Sequence, residues 1–259
     1  MKKIVLIQLS ILLLLFSYSV NAQNFSFGIK GGVSLPNLTA SGSNQTPLNT
    51  GYSSRQGPDI ALFDEFKINE FFSIQPAVEY SSQGGKKNGL QAFTTPAQVA
   101  AQFPPGQAPT YLYANYNSEA KINYLMIPVL AKFGWDFSKT SPWRVYVAAG
   151  PFVSFLLSAH QVTSGNSQFY TDPAGTQALP GGSQSFAGNQ DITGQLAANN
   201  IGVEGNLGLR YKFGAQSIFI EGGFNYGFLN IQTVAADGRN NTGAATVQIG
   251  YSYWFKLKK

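Results

Sequence analysis

Apolar and polar residues alternate with a period of two through several stretches of the chain, the spacing of strands that show each face to a different environment. In Phe25 to Leu35, Phe27, Ile29, Val33 and Leu35 point one way and Ser26, Gly28, Lys30, Gly32 and Ser34 the other. Phe71 to Ser82 separates Phe72, Ile74, Val78 and Tyr80 from Ser73, Gln75, Ala77 and Glu79, with Pro76 removing one donor. The clearest stretch, Ile201 to Phe213, alternates Ile201, Val203, Leu207, Leu209 and Tyr211 with Gly202, Glu204, Asn206, Gly208 and Arg210. The next sets Ile218, Ile220, Phe224 and Tyr226 against Glu221, Gly223, Asn225 and Gly227. The last sets Val247, Ile249, Tyr251, Tyr253, Phe255 and Leu257 against Thr246, Gln248, Gly250, Ser252 and Lys256.

Three further segments are less regular. Pro58 to Ile68 carries Asp59, Asp64 and Glu65, so its facing is open, and Asp64 requires a rim position, a bulge or the interior. Ala120 to Phe133 and Trp143 to Leu157 are interrupted by Pro128 and Pro151. The count is eight strands, with seven or nine as the neighbouring possibilities. Connections alternate in length: short at Asn69-Glu70, 134–142 and 214–217, long at 36–57, 83–119, 158–200 and 229–245. This is the pattern of an all-β, eight-stranded antiparallel transmembrane β-barrel with short periplasmic turns, long extracellular loops and both chain ends on the periplasmic side.

Composition separates this barrel from a soluble sandwich. Charged residues make up 11% of the chain and aromatics 14%, against about a quarter charged in ordinary soluble domains. The faces opposite the apolar ones hold glycine and small polar residues, which suits a narrow interior better than water. A backbone in hydrocarbon must satisfy all its own hydrogen bonds, and closing the sheet removes both open edges. Tyr80, Tyr211, Tyr226, Tyr251, Tyr253 and Phe255 fit interfacial aromatic girdles.

The first 22 residues read as an export signal: Lys2 and Lys3, an apolar run from Ile4 to Val20, and small residues at Val20-Asn21-Ala22. The division is therefore 1–22 signal peptide and 23–259 barrel domain, in the bacterial outer membrane. The formal charge is +5, of which Lys2 and Lys3 account for two, leaving a scattered +3 that gives no nucleic-acid footprint. Absence of cysteine removes disulfides and thiolate chemistry, and a single histidine removes histidine clusters. No cofactor is implied.

The resemblance of the chain to a known family rests on three segments. These are Phe27-Gly28-Ile29-Lys30-Gly31-Gly32-Val33-Ser34-Leu35-Pro36-Asn37-Leu38, the middle run Tyr124-Leu125-Met126-Ile127-Pro128-Val129-Leu130-Ala131-Lys132, and Ala149-Gly150-Pro151-Phe152-Val153-Ser154-Phe155-Leu156-Leu157. In these it resembles the porin-family, PorT-like outer-membrane β-barrel proteins of Bacteroidota-type bacteria. The resemblance covers essentially the whole mature chain, and the extension Lys256-Leu257-Lys258-Lys259 past the terminal aromatic departs from it. It implies a membrane barrel and does not single out an activity.

The interior of an eight-stranded barrel is just wide enough for side chains to fill. Lys30, Glu79, Glu204, Arg210 and Glu221 fall on inward faces and are expected to pair as one desolvated network. That network plugs and rigidifies the barrel, or lines a path for protons or solute. A hydrolase reading rests on Ser158 and His160, two apart on one strand face, with Asp172 or Asp191 as the orienting carboxylate. The loop aromatics Tyr111, Tyr113, Tyr116, Phe169, Tyr170 and Phe186 form a contact surface or pack over the mouth, and Ala97 to Phe103 forms a short helix or loop plug. The leading expectation is a structural or surface-interaction barrel without enzymatic activity, whose partners are outer-membrane lipid and an extracellular glycan or protein. A small-solute pore or transporter is the alternative, with a hydrolase using His160 behind it.

Overall fold

The computed structural model describes residues 24–42 and 45–256; the expected signal peptide over residues 1–22 and the terminal Leu257 to Lys259 lie outside the described residues. Eight long strands form the wall: β1 (Asn24–Ala40), β2 (Gly57–Lys67), β3 (Phe72–Thr94), β4 (Tyr111–Asp136), β5 (Trp143–Ser164), β9 (Asn199–Phe213), β10 (Gln216–Gly227) and β11 (Asn240–Lys256). Three short ones, β6 (Asn166–Ser167), β7 (Gln184–Ser185) and β8 (Gly188–Asp191), lie in the connection between β5 and β9. Each wall strand pairs antiparallel with its sequence neighbours in the wall, β5 joining β9. Pairing of β1 with β11 from Asn24↔Lys256 to Ala40↔Asn240 closes the ring.

The alternation read from the sequence sets which way side chains face. Outward residues such as Phe27, Ile29, Leu207 and Ile249 are exposed, Ile249 at 68%, while Ser26, Lys30, Ser34, Gly208 and Arg210 on the same strands are buried. An apolar girth this complete is stable only where hydrocarbon replaces water, each large side chain gaining about 1.5–3 kcal/mol on leaving water. Aromatic contacts ring the periplasmic end: Phe25 lies 4.9 Å from Phe255, Phe72 5.0 Å from Phe133, and Trp143 4.9 Å from Tyr211.

The irregular segments resolve within this frame. In β2 the residues Asp59, Ala61, Phe63 and Glu65 are buried, so Asp64 takes the outward phase near the periplasmic rim. The β4–β5 ladder lapses between Pro128↔Phe152 and Ala131↔Ala149, beside Pro151, which has no amide hydrogen to donate.

The expected loop boundaries need correction, because the strands run past them. The span 83–119 is mostly a hairpin extension, paired from Gln83↔Ile122 to Thr94↔Tyr111. β1 continues to Ala40, β5 to Ser164, and β11 begins at Asn240. β4 is 26 residues long, whereas about 9–11 tilted residues cross a bilayer core. On β4 the outward positions Leu125, Ile127, Val129, Phe133 and Trp135 give way to Asn117, Glu119, Lys121 and Asn123. The hydrophobic period ends where lipid ends, while backbone pairing goes on into water. The helix α1 (Ala97–Ala100) at the hairpin tip has no buried residue, so it is no plug.

Candidate functional site

Two regions concentrate polar chemistry: the lumen and a basin above the membrane. Their construction starts from the inward face of each strand. Lys30 on β1 is 1% exposed and sits among three glutamates, with its Nζ 2.7 Å from Glu221, 3.7 Å from Glu204 and 3.9 Å from Glu79. Asn206 donates to Glu204 Oε1 at 2.7 Å. One layer above, the Asp59 carboxylate accepts from Ser81 Oγ at 3.0 Å and Gln248 Nε2 at 2.7 Å.

Closer to the periplasm a second cluster has the opposite make-up. Glu65 accepts from Arg210 Nη2 at 2.5 Å and Lys132 Nζ at 3.0 Å, and Lys132 also donates to Gln75 at 2.8 Å. Tyr146 joins the two clusters: its hydroxyl donates to Glu221 at 2.8 Å, and Lys132 Nζ lies 3.9 Å from its ring centroid. The expected single network is thus two clusters. Arg210 answers Glu65 rather than the glutamates around Lys30, and Asp59, Glu65 and Lys132 join the five residues read from the sequence.

The inward glycines seat rings more than they make space for charges. A Cβ on Gly208 would stand 2.1 Å from Tyr146 Cζ, and one on Gly250 would stand 2.1 Å from Phe219 Cζ. Tyr146 and Phe219 then pack with Phe63 and Ala77 as a buried apolar layer among the charges. Above the ion layers a larger apolar cluster crosses the lumen. Ile122, Tyr124, Met126 and Phe152 of the wall meet Ile192, Leu196 and Ile231, which arrive from the connections between strands. This cluster floors a basin of about 250 Å³, walled by polar and aromatic side chains including Tyr52, Lys87, Gln91, Tyr116, Gln161 and Gln195.

The basin is held in shape. Arg55 donates to Glu119 at 2.7 Å and to the Gln83 carbonyl at 3.0 Å, pinning the 45–56 segment to the hairpin. Lys87 donates to the Leu48 carbonyl at 2.6 Å and lies 4.4 Å from the Tyr52 ring centroid; burial pushes its ammonium down to about 8. Burial, with Tyr116 and Asp237 beside it, pushes the Tyr52 phenol up to about 12. Of the loop aromatics, Tyr116 stacks on Phe186 at 4.5 Å, Phe169 lies 5.8 Å from Phe186, and Phe93 joins at 5.4 Å from Phe169. They pack the β5–β9 connection onto the hairpin.

Among the described residues no hydrogen bond joins Ser158 to His160 or His160 to Asp191, so the pair forms no bonded triad, although Ser158 and His160 share a face of β5. Leu157 is an extra residue in β5, since Asn123 pairs with Ser158 but Tyr124 with Leu156. Ser158 Oγ accepts from Asn123 Nδ2 at 3.0 Å. His160 lies opposite Asp191 of β8, whose carboxylate accepts the Thr193 amide at 2.8 Å. Asp172 is taken up by the amides of Ala174, Thr176 and Gln177 in its own turn. Among the described residues no group of three or more histidine, aspartate or glutamate side chains could hold a metal ion.

Residues 21–232 match the family described as outer membrane protein beta-barrel domain. The chain belongs to that family. It is a bacterial outer-membrane protein, and its strands cross the lipid. Among solved structures it is similar to Neisserial surface protein A, with 14% identity, 89% of this chain and 97% of that chain covered, and a TM-score of 0.38. It is also similar to OprG from Pseudomonas aeruginosa, with 12% identity, coverage of 90% and 96%, and a TM-score of 0.39. A third is Ail of Yersinia pestis, in complex with the heparin analogue sucrose octasulfate, with 10% identity, coverage of 89% and 99%, and a TM-score of 0.34. No curated protein sequence matches the chain.

Proposed function

We propose that this protein is a surface-interaction barrel: a closed membrane scaffold that presents an ordered extracellular basin to a polar ligand, a glycan in preference to a protein. The observation that carries the reading is the filled cross-section beneath the basin. Lys30, Phe63, Tyr146 and Arg210, and above them Ile122, Tyr124 and Met126, are all among the largest fully buried side chains. A solute path would have to displace both ion clusters and an apolar layer. The charges of the lumen therefore act as packing that rigidifies the wall.

The basin supports the glycan reading through its donors and acceptors. Gln195 offers a free side-chain amide and Gln161 one amide hydrogen beyond its bond to Ser118, each beside a carbonyl acceptor, as sugar hydroxyls require, while Gln91 spends both amide hydrogens on the Lys87 and Tyr116 carbonyls and shapes the wall. The hydrolase reading lacks a hydrogen bond from Ser158 to His160 or from His160 to Asp191, so the proposal is a binding protein and not an enzyme. An export signal over residues 1–22 and membership of the narrower PorT-like group remain part of this proposal, on the sequence features that suggest them.

Planar-bilayer recording of the purified barrel tests the closed scaffold. The expected trace is flat, and a steady open channel overturns the proposal. Glycan-array binding of the barrel in nanodiscs tests the ligand class: binding lost in Gln161→Ala and Gln195→Ala supports it, and an array with no bound glycan removes the glycan assignment.

A further inference from the structure

The periplasmic end of the lumen opens into a cavity of about 460 Å³ that the surface-interaction reading does not use. Four basic side chains line it, Lys67, Arg144, Arg210 and Lys212, and so do Glu65 and Trp254. Asp136 pairs with Arg144 at 3.0 Å and with Lys212 at 3.4 Å. Glu65 offsets one further charge, so the four cations exceed the two carboxylates by two. Lys67 has no ion pair among the described residues.

Two buried donors at this cavity have no acceptor. Arg210 is 1% exposed and spends its two terminal nitrogens on Glu65, at 3.4 and 2.5 Å, which leaves its Nε–H unpartnered. The indole Nε1–H of Trp254 is buried and unpartnered as well. Both residues line the cavity, and the guanidinium carbon lies over the Trp254 ring, 5.6 Å from its centroid. Buried donors are rarely left unsatisfied, and hydrogen bonds to an ionised acceptor are the strong ones. Surplus positive charge, two orphaned N–H groups and a cavity with room for several heavy atoms all call for the same occupant, an oxyanion.

We infer that this cavity is a binding site for a phosphate group. A phosphate offers several acceptor oxygens, enough to take the Arg210 Nε–H and the Trp254 indole N–H together while the Lys67 ammonium approaches from the mouth. The phosphate can be free in the periplasm or carried on a phospholipid headgroup of the inner leaflet, and the recognising chemistry is the same.

The test uses the whole mature barrel in uncharged maltoside micelles at low salt. One arm titrates inorganic phosphate calorimetrically, and a second titrates micelles doped with phosphatidylglycerol in the same calorimeter. Trp254→Phe keeps an aromatic face, a smaller one, and deletes the indole donor, and is expected to weaken binding about tenfold, the equivalent of one charge-assisted hydrogen bond. Lys67→Gln is expected to weaken it several-fold, and retained heat-modifiable migration verifies that both variants are folded. Binding in the first arm assigns free phosphate, and a response confined to the second assigns the lipid headgroup. Failure of the wild type in both arms, or binding that neither substitution alters, overturns the proposal.

Discussion

The two ion clusters in the lumen are mirror images in charge. The upper one places a single cation, Lys30, among Glu221, Glu204 and Glu79; the lower one places a single carboxylate, Glu65, between Arg210 and Lys132. Each hub is buried, Glu65 at the edge of the periplasmic cavity, and each cluster carries a surplus of the sign opposite to its hub. Tyr146 keeps the surpluses in register, donating to Glu221 above and offering its ring to Lys132 below. In a closed lumen, therefore, stability depends on the hubs more than on the number of ion pairs, because removing a hub leaves several like charges buried together.

The largest effect expected from this comparison follows loss of the upper hub. Lys30→Met fits the volume but leaves three carboxylates facing one another, and the barrel is expected to lose about 3–5 kcal/mol, the cost of breaking a buried pair from one side. Urea unfolding in micelles, read by tryptophan fluorescence and heat-modifiable migration, measures it. A loss below that of an ordinary interior substitution would show that the glutamates find other partners, and the hub argument would fail.

Loss of the lower hub comes second. Glu65→Gln keeps an acceptor for Arg210 and Lys132, Gln75 still accepts from Lys132, and the Tyr146 ring remains beneath the ammonium. The lower cluster also borders the periplasmic cavity, where hydration can offset exposed charge. The expected loss is about 1.5–3 kcal/mol, that of charged hydrogen bonds weakened to neutral ones, measured by the same unfolding assay. A loss as large as that of Lys30→Met would break the ranking and place the dependence on both hubs alike.

The upper cluster is readable from the sequence, whereas of the lower one only Arg210 is, for a physical reason. Lys30, Glu79, Glu204 and Glu221 sit on strands whose outward faces are apolar and whose inward faces are small or polar, so alternation assigns them inward. β2 mixes Asp64 on its outward face with Ala61 and Phe63 on its inward face, and β4 buries Ile122, Tyr124, Met126 and Leu130 on the face that also carries Lys132. On both strands polarity no longer reports facing. A signal was nevertheless available: the short turn at 68–71 pairs Phe66 with Ile74 and Lys67 with Ser73, and counting back from it puts Glu65 on the face of Ser73 and Gln75. The eight-stranded ring and its short turns were legible because lipid imposes a period-2 code on every spanning strand. The extensions above the membrane were not, since Lys86↔Glu119 and its neighbours pair through the backbone with water on the outer side. Ile192, Leu196 and Ile231, which cap the lumen, lie in connections where no periodicity marks a buried residue.

The smallest effect separates hub from spoke within the upper cluster. Glu79 reaches Lys30 only across 3.9 Å, the longest of its three contacts, and the described lumen holds five carboxylates, Asp59, Glu65, Glu79, Glu204 and Glu221, against three cations, Lys30, Lys132 and Arg210. Neutralising a surplus charge that has the weakest claim on the hub relieves repulsion among the carboxylates and keeps the side-chain volume. Glu79→Gln is therefore expected to leave stability unchanged or raise it by about 1 kcal/mol, opposite in direction to Lys30→Met. A higher urea midpoint with an unchanged slope is the predicted outcome. A loss comparable to that of Lys30→Met would mean that all three carboxylates are required to hold the cation, and the distinction between hub and spoke would have to be given up.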